Sequence, residues 1–388
     1  MGQDQGPGRA TRESKLNSIQ VLRGIAALYV TIYHLKDVMP ADAAFRKEID
    51  FIAGSGPAGV SLFFVISGFI MVHITRNTVP SGRNIFRFTA KRLIRIWPAY
   101  AVITLGYCLL HSRIASNPEW PSELLRSLLF IPLANTPAPF YGYATLNVGW
   151  SLNYEIYFYL LIAVSMFFSR LRWYAFFVMI VVTLVGIPAY YGAFTLKADQ
   201  MPDLGAPYLN MVANPIIWNF VFGVFLGRAY YNRFLHEQIR TLLSLKPVAP
   251  ALLCLAIWQF LSGFLGGFGP LQWGLGSTVI FAVFVFHYQE RIQQFPSWLV
   301  RLGDMSFSIY LLHVPVVVGL GFVFRKLGFP VYSEGTAMFL LSLALTFVAS
   351  QVSYDYLELK LTSRLSRWLQ DSKRQPVHEP ASRQATGV

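Results

Sequence analysis

Apolar residues run along this chain in ten blocks, at 17–36, 58–76, 96–114, 148–168, 173–192, 210–228, 248–266, 271–289, 305–324 and 336–357. Blocks of about 20 residues match the length a helix needs to cross a bilayer core, at about 1.5 Å per residue. The pattern predicts an all-α polytopic membrane protein with about ten transmembrane helices and both termini cytoplasmic. The pattern is thinnest over 248–289, where Gly266, Gly267, Gly269 and Pro270 allow a tight hairpin. The organisation expected is a polar N-terminal tail over 1–16, one membrane domain over 17–358 and a basic tail over 359–388. The polar start argues against a cleavable signal peptide, leaving the first helix as start-transfer segment. The tails are too short and polar to bury a core of their own.

Composition agrees: 54% of residues are hydrophobic and only 13% charged, outside the range of soluble domains. The net charge of +13 suits nucleic acid at first sight, but its distribution argues otherwise. With cytoplasmic termini, about 23 Lys/Arg fall on the cytoplasmic side and about 7 outside, as the positive-inside rule favours. Acidic residues such as Asp37, Asp42, Glu48, Asp50, Asp199 and Asp203 gather in the outer loops. The basicity is a topology signal and a contact for anionic lipid. The two cysteines, Cys108 and Cys254, lack any zinc or disulfide spacing and read as packing residues.

The chemistry lies where ionisable residues interrupt apolar blocks. Arg23 and His34 are eleven positions apart in the first helix, about three turns plus 20°. They share one face, about 16 Å apart along the axis, and suit a solvated tunnel better than lipid. In the fourth block Ser151, Glu155 and Tyr159 recur at i+4, with Glu155 at a depth comparable to His34. A carboxylate beside an imidazole fixes its tautomer and suits it to deprotonate a hydroxyl; a structural ion pair is the plainer alternative. In the ninth block Ser306, Tyr310 and His313 share a face, and Pro315 frees the carbonyl of Leu311. His313 reads equally as a site residue or as a hydrogen-bonding strut. Between the second and third blocks, Arg83, Arg87, Lys91 and Arg95 form a stripe at i+4, with Arg76 and Arg92 nearby. That stripe suits anionic lipid headgroups or, through the guanidinium forks, a phosphate ligand. Ser67 and Gly68 permit close helix approach. Trp150 with Phe140, Tyr141 and Tyr143 offers either a platform for a sugar ring or membrane anchoring. His73, His111, His236, His287 and His378 lack such company, and no metal-ligand spacing is present. Nucleophile-elbow, P-loop and dinucleotide-binding fingerprints are absent too.

Five of these stretches, in order, resemble the membrane-bound acyltransferase-3 family. They are Leu22-Arg23-Gly24 through His34; Gly59 to Phe69; Lys91-Arg92 through Arg95 to Pro98; Trp150-Ser151-Leu152 to Glu155 and Tyr159; and Ser306 through Tyr310 to His313. One departure is visible: family members often carry Glu-(Arg/Lys)-Pro near the end, whereas this chain reads Glu358-Leu359-Lys360, which leaves Glu358 out of the expected site. The resemblance implies ten membrane helices and transfer of an acyl group from acyl-coenzyme A, acetyl-CoA by preference, to a glycan or lipid-linked saccharide in the bacterial inner membrane. It further implies that Arg23, Arg92 and Arg95 serve the donor and that His34 is catalytic. Glu155 is taken as its partner, and Ser67, Trp150, Tyr310 and His313 as substrate-binding; no metal is implied. The rival class is a transporter or flippase, whose substrate path carries the same residue types. It would move substrate without consuming a thioester.

Overall fold

The computed structural model describes residues 16–110, 118–133, 137–289 and 295–371. Among these the regular structure is helical throughout, with no strand. Each apolar block folds as helix: α1 Asn17–Leu35, α2 Ala58–Thr75, α3 Gly82–Leu110, α4 Trp150–Met166, α5 Arg172–Val181, α6 Ile217–Tyr231, α7 Val248–Ser262, α8 Trp273–Val283, α9 Ser306–Lys326 and α10 Thr336–Ser353. Short helices link them, among them Trp120–Leu128, Arg233–Ser244, Ser297–Asp304 and the C-terminal Thr362–Asp371.

Among the described residues, six helical segments are long and apolar enough to cross a bilayer, built on α2, α3, α5, α6, α9 and α10. A seventh is added if Arg233–Ser244 and α7, bent by 83°, count as one span. The expected ten is therefore matched in helices but not in crossings judged by length and composition. The shortfall has physical causes. Helix α1 carries Gln20, Arg23 and His34 within its 19 residues, α4 has only 17 residues, and α8 only 11.

In lipid there is little hydrophobic drive between helices, so packing and interhelical hydrogen bonds hold the bundle. Close backbone approach supplies the first. A Cβ on Gly68 of α2 would lie 2.0 Å from the Phe220 carbonyl oxygen, and one on Gly223 of α6 would lie 1.9 Å from that of Val65. A second seam pins α1: a Cβ on Gly303 would meet the Gln20 carbonyl at 1.8 Å, and Gly24 faces the Gly303 amide. Asn219 of α6 supplies the second kind of contact, donating to Ser61 Oγ at 3.3 Å and to the Phe268 carbonyl at 2.9 Å. Stacked Phe158 and Phe220, with centroids 4.0 Å apart, fill the space between α4 and α6.

Helix α3 departs from the expected start at 96. It runs unbroken from Gly82 through Pro98. Proline removes the bond that would close on the carbonyl four residues back, and Thr362 Oγ1, which donates to the Leu357 carbonyl at 3.2 Å, also lies 3.5 Å from that Ile94 carbonyl. The short helix Trp120–Leu128, between α3 and α4, folds against the middle of α3. Trp97 Nε1 donates to the Leu128 carbonyl at 3.0 Å, and the Tyr100 hydroxyl meets Ser127 Oγ at 2.6 Å. Both cysteines are free, Cys108 half-buried but Cys254 exposed on α7, so the latter does not pack in the interior as expected. His111, His378, residues 1–15 of the N-terminal tail and residues 372–388 of the C-terminal tail lie outside the described residues.

Candidate functional site

A cavity of about 90 Å³ opens between α1, α2, α3, α4 and α9. Arg23, Ser67, Arg92, Arg95, Glu155 and Tyr310 all line it, so six of the nine residues singled out from sequence converge on one space. The helical spacings explain the convergence. The α3 face that turns Arg92 inward also brings Arg95 to the cavity edge, while Arg83, Arg87 and Lys91 stay exposed along the helix. On α4, Ser151, Glu155 and Tyr159 line the cavity together, as one helical face must.

The electrostatics of the cavity favour an anion. Arg23, Arg92 and Arg95 lie within range of one another and of Glu155 and Glu358. Three guanidinium groups against two carboxylates leave positive charge in excess. Glu155 Oε1 accepts from the Tyr159 hydroxyl at 2.5 Å, one turn along the same helix, which occupies one carboxylate oxygen. Arg23 Nη1 reaches only Gln20 Oε1, at the outer limit of 3.5 Å. The hydroxyls of Ser67 and Ser306 line the cavity, are buried and have no hydrogen-bond partner. Buried hydroxyls usually find partners, so these two have donor capacity that no described residue takes up. Such a set of forked cations and hydroxyl donors fits phosphate groups.

His34 stands outside the lining of this cavity. Its Nδ1 bonds to the Val30 carbonyl at 3.0 Å, its ring lies edge-on to Tyr33 and its centroid is 5.0 Å from that of His313. Since a carbonyl only accepts, Nδ1 carries the hydrogen and Nε2 keeps its lone pair. The expected orientation of His34 by Glu155 is therefore replaced. The two residues have different partners, Val30 for the imidazole and Tyr159 with the arginines for the carboxylate. Arg23 lines the cavity and His34 does not, so the cavity by itself does not join the two residues expected to share a tunnel. Tyr310 stands between, its ring edge-on to Phe63 and 6.0 Å from His313, its hydroxyl held by Ser151 Oγ at 2.7 Å and the Val148 carbonyl at 2.8 Å. His313 is fully buried, with Nδ1 bonded to the Ile309 carbonyl at 3.2 Å.

Trp150 also lies away from the cavity. Phe140, Tyr154 and Phe268 meet its ring edge-on, and only 6% of its surface is exposed. Phe140 stacks on Tyr143, and the buried Tyr141 hydroxyl accepts from Asn214 Nδ2 at 2.8 Å. These aromatics pack on one another, with Trp150 and Tyr141 buried and Phe140 and Tyr143 half-buried. Glu358, left out on sequence, lies outside the cavity lining but within electrostatic range of Arg23 and Arg95. Its Oε1 accepts from the Ser308 amide at 3.1 Å and from Ser308 Oγ at 2.5 Å, at the start of α9. It falls just past the last apolar block, between Asp355 and Lys360, so the sequence pattern gave no signal for it.

A family model described as an acyltransferase domain, acyltransferase 3, matches residues 16–355. The exopolysaccharide production protein ExoZ of Rhizobium meliloti (strain 1021) is 31% identical over 268 residues, covering 66% of this chain and 75% of that protein. Nodulation protein 10 of Rhizobium leguminosarum bv. viciae is 26% identical over 248 residues, covering 59% of this chain and 64% of that protein. No solved structure matches. With the family match spanning nearly all the described helices and the arginine cavity at their centre, the chain belongs to the acyltransferase-3 family of multi-pass membrane proteins and is an acyltransferase.

Proposed function

We propose that this protein transfers an acyl group, acetyl by preference, from cytoplasmic acyl-CoA to a hydroxyl of a cell-surface or lipid-linked glycan. The observation that carries the reading is the convergence of Arg23, Arg92 and Arg95 with the unpartnered hydroxyls of Ser67 and Ser306 on one cavity. The donor's phosphates match that set of cations and hydroxyl donors. Arg23 and His34 share the continuous helix α1, about 16 Å apart along its axis, a span of the same order as the donor's flexible arm. The nucleotide end is thus held among the arginines, and the thioester is presented towards His34 once Tyr310 gives way.

At His34 the Val30 carbonyl fixes the tautomer with Nε2 free, so the ring serves either as base for the acceptor hydroxyl or as transient acyl carrier. The glycan acceptor is supported by the similarity to a protein named for exopolysaccharide production. In this reading all ten helices cross the bacterial inner membrane and both termini are cytoplasmic.

The test is acyl transfer by membranes containing the protein. His34→Ala is expected to abolish transfer, and Arg92→Ala and Arg95→Ala to raise the donor KM by tenfold or more, with a smaller effect on the acceptor. Release of free coenzyme A separates transfer from transport, and mass spectrometry of surface glycans with and without the protein identifies the product. Full activity in the His34 variant, or equal losses for donor and acceptor, would overturn the assignment.

A further inference from the structure

The two imidazoles at the heart of the bundle are set alike. Both His34 and His313 bond through Nδ1 to the carbonyl one turn back, Val30 at 3.0 Å and Ile309 at 3.2 Å. Each is thereby locked as the Nδ1–H tautomer, with its Nε2 lone pair available. Their centroids are 5.0 Å apart and their planes are tilted by 44°, so the rings neither stack nor hydrogen-bond through a shared plane. His313 Nε2 is buried with no hydrogen-bond partner, although the residue is fully enclosed. A strut would use its second nitrogen; this one is left bare beside the other ring.

We propose that the pair divides the reaction: His34 carries the acyl group and His313 is the general base for the acceptor hydroxyl. This rests on the acyl-transfer reading given above and adds the second residue to it. In the first step His34 Nε2 attacks the thioester carbonyl, a C–N bond forms and the C–S bond breaks. The thiolate departs and takes its proton from water. The acyl-imidazolium that remains keeps its Nδ1 hydrogen on the Val30 carbonyl, which steadies the positive charge. In the second step the acceptor oxygen attacks the acyl carbon while its hydrogen passes to His313 Nε2. The C–N bond breaks, His34 regains its lone pair, and the His313 imidazolium returns its proton to water. The sum is thioester plus alcohol giving ester plus thiol. The arrangement also explains why the base is a different ring: once acylated, His34 has no basic nitrogen to offer.

The experiment separates the two half-reactions in the full-length protein reconstituted in lipid nanodiscs. Labelled acetyl-CoA is added alone, and then chased with surface polysaccharide from cells lacking the protein, or with hydroxylamine. The wild-type protein is expected to take label onto His34 and lose it to either nucleophile. His313→Asn, whose amide can still donate to the Ile309 carbonyl, is expected to take label at the wild-type rate. It should lose label to hydroxylamine normally but to polysaccharide about 100-fold more slowly or worse. His34→Gln should take no label. His313→Gln is the second variant should the Asn form fail to fold. Equal slowing of both half-reactions would make His313 structural. An unimpaired chase, or a wild-type protein that transfers acetyl without ever carrying label, would also overturn the division of labour. A wild-type protein that releases no coenzyme A and transfers nothing would instead sink the acyl-transfer reading itself.

Discussion

Tyr159 shows how much of this site is set by single side chains. Its hydroxyl donates to Glu155, and both residues face the arginine cavity. A hydrogen bond to a charged group contributes about 1.5–3 kcal/mol. Tyr159→Phe keeps the ring but frees the carboxylate to pair with Arg23 or Arg92, in competition with the donor's phosphates. The expected result is a donor KM raised about tenfold with the acceptor KM unchanged, measured by steady-state kinetics with each substrate varied. A shift in the acceptor constant alone would refute the placement. At this scale the sequence was informative about which residues are unusual. Arg23, Arg92, Arg95, Glu155, Ser67 and Tyr310 were all found by depth, spacing and resemblance, and the structure brings them together. Partnerships were less legible. Equal depth in two helices fixes height but not direction, which is why Glu155 was assigned to His34 and instead meets Tyr159. That Trp150 is buried among Phe140, Tyr154 and Phe268 was not legible either, because an aromatic near a helix start looks the same whether its faces are open or covered.

Helices repeat the lesson one level up. Their existence is written in apolar blocks and needs no structure, and the small residues Ser67-Gly68 rightly marked close approach. What pairs with Gly68 lies about 150 residues away in sequence, at Phe220 and Gly223. Gly223→Val should force α2 and α6 apart and cost about 1–3 kcal/mol or more, read as a lowered unfolding temperature in detergent. Gly106→Ala, with nothing within 4 Å of the added carbon, is the control and should not lower it. The start of α3 was missed for a definite reason. Its first 14 residues are rich in Arg and Lys and fail any apolar test, and Pro98 looks like a helix start. The Thr362 hydroxyl, bonded to Leu357, stands beside the Ile94 carbonyl that Pro98 leaves free. Thr362→Val, which removes both contacts, should cost about 1 kcal/mol in the same melt, whereas Ser363→Ala, whose exposed hydroxyl bonds locally to Lys360, should be near neutral. Equal effects would remove this account of Pro98 within α3.

Across the whole molecule the excess of basic residues on one side predicts the topology more firmly than hydropathy does. Ten crossings place Arg83, Arg87, Lys91, Arg364 and Arg367 in the cytoplasm and Lys197 outside. Single cysteines introduced at Arg87 and Lys197 in a cysteine-free background should label from opposite sides of intact cells. Labelling of both from one side would require a different number of spans between them. In that ten-crossing reading, α1 and α4 escape a test by length and apolarity because α1 carries Gln20, Arg23 and His34 and α4 has only 17 residues.

The similarity that defines the family stops at residue 355, yet the polypeptide has not finished building the site there. Glu358 reaches back to the first turn of α9, and Thr362 to the middle of α3. An excised domain ending at the homology limit would therefore fold with an unbalanced arginine cluster and an exposed carbonyl beside it. The smallest fragment expected to behave like the parent protein must run on past residue 362.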